Sequence, residues 1–181
     1  MKQYLALMLA FLLSGCIAMG TKGYDVATDE RSVGKQTDDA AIWGQIKNSL
    51  LQSDVKGTDS ISVFCRNGVV VLAGVVANGS QAGTEAVRIA HQVQGAKKVE
   101  TYFLTSQRSR MSDFEIKEKI HFKMVGDSDL KADQIDMTVI DGHVVLVGVL
   151  GSSGKAEKVI AIARATNGVK AVKSFIPVAQ Q

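Results

Sequence analysis

Catalysis needs particular side chains at particular spacings, and this chain of 181 residues offers few of them. Its three histidines, His91, His121 and His143, are scattered, and no two stand at metal-ligand spacing. It has no Cys-x-x-Cys pair, Gly-rich phosphate loop or nucleophile elbow. Cys65 falls in phase with Ile61 and Val63 in an alternating run, which predicts a buried, packing thiol; a reactive unpaired Cys is the other reading. Asp38 and Asp39 would serve as a carboxylate pair, but a helix begins beside them and capping explains them more simply. The expectation is no metal, no cofactor and no enzyme.

One helix surface does carry suggestive chemistry. From Ser112 onward, at 100° per residue, Ile116, Ile120 and Met124 fall on one side. Phe114, Glu118, Phe122 and Val125 fall opposite, with Lys119 and Lys123 along one flank. Two aromatic rings on a solvent side are surplus to a core. Rings beside ammonium groups suit a membrane interface, where the rings enter the headgroup layer and the ammonium groups meet phosphate. The same rings would also serve to pack one part of the chain on another, and sequence leaves both readings open.

The elements that position these residues come in two copies. Residues 67–74 (Asn-Gly-Val-Val-Val-Leu-Ala-Gly) reappear as 141–148 (Asp-Gly-His-Val-Val-Leu-Val-Gly). Each opens on a hairpin turn and runs into a β-branched strand. At a spacing of about 74, Ile42 falls on Ile116, Ile46 on Ile120, Ile61 on Ile135 and Gly74 on Gly148; after the loss of one residue Gly95 falls on Gly168. An ordered series of this length means a duplicated unit. Each copy reads helix, strand, strand, helix, strand: a helix entered at Thr37 or Asp38, and again at Ser112 or Asp113; a hairpin; a second helix through Ala82–Val93 and Ala156–Ala163; and a last strand over Lys98–Leu104 and Lys170–Ile176. Trp43 lies off the buried stripe and is read as covering the core edge, with ligand stacking as the alternative. The fold class is α+β, two tandem α-β-β-α-β domains, each a three-stranded mixed sheet on two helices. The division is 17–36 tether, 37–107 first domain, 108–111 linker and 112–177 second domain.

Residues 1–16 read as a processed leader: Lys2, then an apolar stretch from Tyr4 to Leu13 that is short for a bilayer span. The stretch closes on Leu13-Ser14-Gly15-Cys16, which resembles the bacterial lipobox; an ordinary secretory signal or a core helix is the alternative. The resemblance implies cleavage before Cys16 and acylation of its thiol and amine, palmitate included. Several acyl chains at ~0.8 kcal/mol per buried methylene anchor a protein essentially permanently. Ile17 rather than Asp after Cys16 implies sorting to the outer membrane, periplasmic face.

The formal charge of +3 hides an even balance. Residues 37–107 hold six acids and six bases, and residues 112–176 nine of each. Balanced domains steer weakly to phosphate polymers, so nucleic acid is not an expected partner.

A lipobox followed by two such units resembles the BON-domain family (bacterial OsmY and nodulation). The stretch from Ala27 to Asp39, with Arg31-Ser32-Val33-Gly34 inside it, resembles its outer-membrane members with two domains. The resemblance implies a non-catalytic, stress-related envelope protein. It also implies binding of anionic phospholipid by the second domain, support of outer-membrane integrity and recruitment to the cell division site. Phospholipid-binding relatives carry an aromatic at a position that the gapless register gives to Glu115, next to Phe114. A scaffold for envelope protein partners, or a chaperone-like stress module, is the alternative. Lipid contact would fall to Phe114, Lys119, Phe122, Lys123 and Val125, because the first domain offers only Ala40, Gly44 and Asn48 where the second has Phe114, Glu118 and Phe122.

Overall fold

The structure, a computed structural model, describes residues 33–105 and 110–177. The first unit runs α1 (Val33–Leu51), β1 (Ser62–Arg66), β2 (Val69–Val75), α2 (Ala82–Gln92) and β3 (Lys98–Leu104). The second runs α3 (Arg110–Val125), a 3-10 turn (Ala132–Gln134), β4 (Ile135–Ile140), β5 (His143–Gly148), α4 (Ser153–Arg164) and β6 (Ala171–Ser174). Each unit holds one sheet, ordered β1-β2-β3 and β4-β5-β6. The hairpin strands pair antiparallel, and the strand after the crossover helix pairs parallel to the middle one. The duplicated α+β fold is as the sequence predicts, and α2 and α4 supply the long crossovers that parallel pairing requires.

Both hairpins turn on two residues with positive φ: Asn67 and Gly68 at 54° and 77°, Asp141 and Gly142 at 49° and 75°. That is the mirror-image turn whose twist matches the strands it joins. A Cβ on Gly142 would stand 2.8 Å from the Gly168 carbonyl oxygen, so no larger residue fits without moving backbone.

The first helix begins at Val33, not Thr37, so the segment read as tether ends sooner, and Thr37 and Asp38 lie inside the helix instead of capping it. Likewise α3 begins at Arg110, which takes 110–111 from the expected linker and places Ser112 and Asp113 within the first turns. The last strand is shorter than expected, Ala171–Ser174. Residues 1–32, Cys16 among them, lie outside the described residues, as do 106–109 and 178–181.

Each unit packs its helices on one face of its sheet. Ile42, Ile46 and Leu50 of α1 and Ala82, Ala86, Ile89 and Ala90 of α2 bury against Val63, Cys65, Val70 and Leu72. Ile116, Ile120 and Met124 of α3 and Ala156, Val159 and Ala163 of α4 bury against Met137, Val139, Val144 and Leu146. The other faces of the two sheets meet each other. Val71 and Ala73 bury against Ile140, Val145 and Val147, flanked by Phe64, Val75, Tyr102, Leu104 and Phe175. Val71 and Val145 are equivalent in the repeat, as are Ala73 and Val147, and β1 meets β5 as β2 meets β4. The junction therefore has a pseudo-twofold, self-complementary character. The order of layers is helices, sheet, sheet, helices. Every buried core side chain among the described residues lies between Ile42 and Ile176, so a chain starting at residue 17 keeps the whole core.

Candidate membrane-facing site

In each unit one carboxylate ties the first helix to the hairpin turn, and in the second unit that helix carries the candidate site. Asp113 is buried in the first turns of α3, and its Oδ2 and Oδ1 accept from the backbone N–H of Asp141 (2.8 Å) and Gly142 (2.7 Å). Asp39 does the same in the first unit, accepting from Asn67 and Gly68, both at 2.8 Å. The turn N–H groups have no ladder partner, and the two oxygens of one carboxyl group satisfy both at once. Asp39, inside a helix that begins at Val33, thus ties that helix to the turn instead of capping it. Its Oδ1 also lies 3.4 Å from Cys65 Sγ, and Cys65 is buried, as the alternation predicts.

Pinned in this way, α3 turns Ile116, Ile120 and Met124 inward and leaves a continuous outer face. Phe122 is 80% exposed, Phe114 61% and Val125 61%. The junction between the units is built from sheet, so packing of one unit on the other does not use these rings. Lys119 stands 3.9 Å from Glu115 one turn earlier, a loose pair in water. Lys123 Nζ donates to Thr166 Oγ1 at 3.1 Å, and Thr166 Oγ1 in turn donates to the Ile162 carbonyl at 2.8 Å. Lys123 is thereby held against the end of α4, its charge met by a neutral hydroxyl. Lys158 is engaged elsewhere: it bridges Asp127 (2.7 Å) and Asp129 (2.8 Å), and its ammonium holds the Asp127 carboxyl below its ordinary pKa.

The first unit offers no equivalent surface. Where the second has Phe114, Lys119, Phe122 and Lys123, the first has Ala40, Gln45, Asn48 and Ser49. Trp43 is half exposed, and its indole N–H donates to the Val63 carbonyl at 3.0 Å. Lys47 Nζ donates to the Ile61 carbonyl at 3.2 Å. The first bond falls on the outer edge of β1 and the second on the residue just before it, and together they blunt that edge against pairing with another strand. The indole covers an edge, as expected, and its hydrogen bond adds a function that its position on a wheel does not show.

The chain matches the BON-domain family over residues 38–105 and again over 112–180. It belongs to that family. The chain is similar to osmotically-inducible protein Y of Escherichia coli, 29% identical over 92% of each chain. It is similar as well to the outer membrane lipoprotein DolP of Haemophilus influenzae, 28% identical over 88% of this chain and 86% of that one. A 21 kDa hemolysin of Actinobacillus pleuropneumoniae is 27% identical over 82% of this chain and 78% of its own. The two BON domains correspond to the two sheet-and-helix units, and the second carries the exposed aromatic face. Among the described residues no group of His, Cys, Asp and Glu is arranged to hold a metal ion, and no helix is long and apolar enough to cross a membrane.

Proposed function

We infer that this BON protein is an outer-membrane lipoprotein, anchored through Cys16 on the periplasmic face, whose second domain binds anionic phospholipid through the outer face of α3. The observation that carries the reading is the exposure of Phe122 and Phe114 on a helix whose domain already has a complete core and a complete junction. The rings enter the headgroup layer, Lys119 and Lys123 meet phosphate, and Val125 adds apolar contact. Glu115 and Glu118 on the same helix are repelled by such a surface and keep the affinity modest. The function is binding, not catalysis. Support of outer-membrane integrity and recruitment to division sites are the roles this reading assigns to a lipid-binding surface on an anchored protein. The name of the DolP relative supports the location.

The test is flotation of the chain from residue 17, which lacks the acyl anchor, on phosphatidylglycerol and on neutral phosphatidylcholine vesicles. Selective flotation on phosphatidylglycerol, lost in Phe122→Glu, is the expected result. Flotation unchanged by Phe122→Glu removes α3 from the reading. No flotation on either vesicle leaves Cys16 as the membrane contact and turns the face into a docking surface for an envelope protein.

A further inference from the structure

The α3 face does not stop at α3. Helices α3 and α4 lie side by side on the same sheet, with Ile116, Ile120 and Met124 of one and Ala156, Val159 and Ala163 of the other turned inward. Their outer faces therefore look the same way. The Lys123–Thr166 bond ties the end of α3 to the end of α4. On the flank of α4 away from that bond, the surface forms a shallow depression of about 560 Å³ lined by Glu157, Ile160, Ala161, Arg164 and Ala165.

Arg164 differs from its neighbours in being uncommitted. Lys158 is held by two aspartates, Lys170 by Asp141, and Lys173 stands over the Phe175 ring. Arg164 is exposed and has no ion-pair or hydrogen-bond partner among the described residues. It is set among Ile160, Ala161 and Ala165, which cannot neutralise it. The carboxylate of Glu157 stands at the other end of the depression, seven residues and about 10 Å away along the helix.

The first domain shows the alternative on the same scaffold. Aligned on the buried pairs Ala86/Val159 and Ala90/Ala163, its α2 places Arg88 at Ala161, His91 at Arg164 and Gln92 at Ala165. Arg88 is closed on its own helix: Nε and Nη2 donate to Glu85 at 2.7 and 2.6 Å, and Nη1 donates to Gln92 at 2.9 Å. One copy spends its cation within the helix, whereas the other leaves it open on an apolar ground.

We propose that Arg164 is the phosphate seat of the membrane face, with Ile160, Ala161 and Ala165 as the apolar floor beneath the glycerol and upper acyl region of the same lipid. A guanidinium presents several donors in a plane and matches a phosphodiester with two parallel bonds, which the ammonium groups of Lys119 and Lys123 cannot do. The membrane contact is then the whole helical layer of the second domain. This assignment rests on the lipid reading above and adds α4 to it.

The test is flotation of the chain from residue 17 on phosphatidylglycerol and phosphatidylcholine vesicles, with Arg164→Gln, Arg164→Glu, Arg88→Gln and Phe122→Glu in parallel. A basic side chain at an anionic surface contributes roughly fivefold in partitioning, so Arg164→Gln lowers phosphatidylglycerol binding about fivefold and Arg164→Glu about 25-fold. Arg88→Gln leaves it unchanged. The Arg164→Gln loss shrinks at 1 M salt, where the screening length is about 3 Å. Arg164 is exposed, so unchanged melting of its variants verifies that the fold is intact. If Phe122→Glu abolishes flotation while Arg164→Glu stays within about twofold of the parent, the lipid reading stands and the assignment of α4 is overturned. An equal loss on neutral vesicles also overturns it, as does binding of the parent to a phosphorylated protein but not to lipid. If neither Phe122→Glu nor Arg164→Glu changes flotation, the helical face of the second domain is removed from the lipid reading and the assignment falls with it.

Discussion

Arg66 and Asp136 belong to different BON domains, yet the guanidinium Nη2 stands 2.7 Å from the carboxylate Oδ2, with the arginine side chain only 15% exposed. The bond lies at the rim of the sheet-to-sheet junction, and it breaks the pseudo-twofold, because the equivalent residues are Ile140 and Ser62. The hydrophobic faces of Val71 and Val145 supply the attraction, which is non-directional. The ion pair supplies register. Asp136→Ala leaves a largely buried guanidinium with less neutralisation and is expected to cost about 1–3 kcal/mol. The exchange Arg66→Asp with Asp136→Arg recovers part of that cost, and a double-mutant cycle in urea measures the coupling. All these proteins should unfold in one transition, since separating the domains exposes two apolar sheet faces.

The turn-holding aspartates make a sharper prediction. Asp113→Ala strands two backbone N–H groups at Asp141 and Gly142, and a cost of about 2–4 kcal/mol is expected from urea midpoints. Asp113→Asn retains one acceptor and falls between the two. Asp39→Ala follows the same order through Asn67 and Gly68. A catalytic or merely surface carboxylate would show no such graded loss.

The junction also carries a pH signature. The Tyr102 hydroxyl lies 2.6 Å from His143 Nδ1, across the two domains, and burial raises the phenol pKa above 10.0. A group whose folded pKa is raised contributes stability below its unfolded pKa and loses it as pH climbs through the folded value. The parent protein should therefore lose stability above about pH 10 relative to Tyr102→Phe. At neutral pH that variant should be less stable by about 1 kcal/mol, the worth of one hydrogen bond. Urea melts at pH 7.5 and at pH 11 check both signs.

Leu51 and Val125 provide an internal control for the membrane face. They occupy equivalent positions, 74 residues apart, and are equally exposed at 60% and 61%. Exposure alone would make both contact lipid. The reading proposed above predicts that Val125→Asp weakens flotation on phosphatidylglycerol severalfold, whereas Leu51→Asp leaves it unchanged, because α1 lies in the outermost layer on the opposite side of the molecule.

Much of this architecture is legible in local sequence. The turn pairs Asn67-Gly68 and Asp141-Gly142, the buried stripes of Ile42, Ile46 and Leu50 and of Ile116, Ile120 and Met124, and the 74-residue echo lead directly to the duplicated fold. The sheet-to-sheet junction leaves a signal that alternation obscures: Val70 to Ala73 and Val144 to Val147 are unbroken apolar runs, and a strand reads so when both of its faces are covered. Asp39 and Asp113 leave none, since their partners lie 28 and 29 residues away and only the fold brings them together. The helix starts at Val33 and Arg110 are hidden for a related reason. Each is preceded in sequence by a Ser, Ser32 and Ser109, but Thr37 and Asp113 compete with it as candidate caps further on. Arg164 reads in sequence like any helix-end cation, and only the commitments of Lys158, Lys170 and Arg88 set it apart.

On the reading proposed above, with an acylated Cys16, the stacking of four layers also bears on the span of chain between Cys16 and the first helix. With the layer of α3 and α4 against lipid, the α1 layer lies three layer spacings away, about 30 Å at roughly 10 Å each. Cys16 and Val33 are 17 positions apart, which gives a greatest reach of about 60 Å. The chain is long enough to double back around the body and let anchor and face touch the same leaflet together. Removing ten of those positions cuts the reach to about 25 Å, less than the body is thick, so on that reading anchor and face could no longer touch the membrane together.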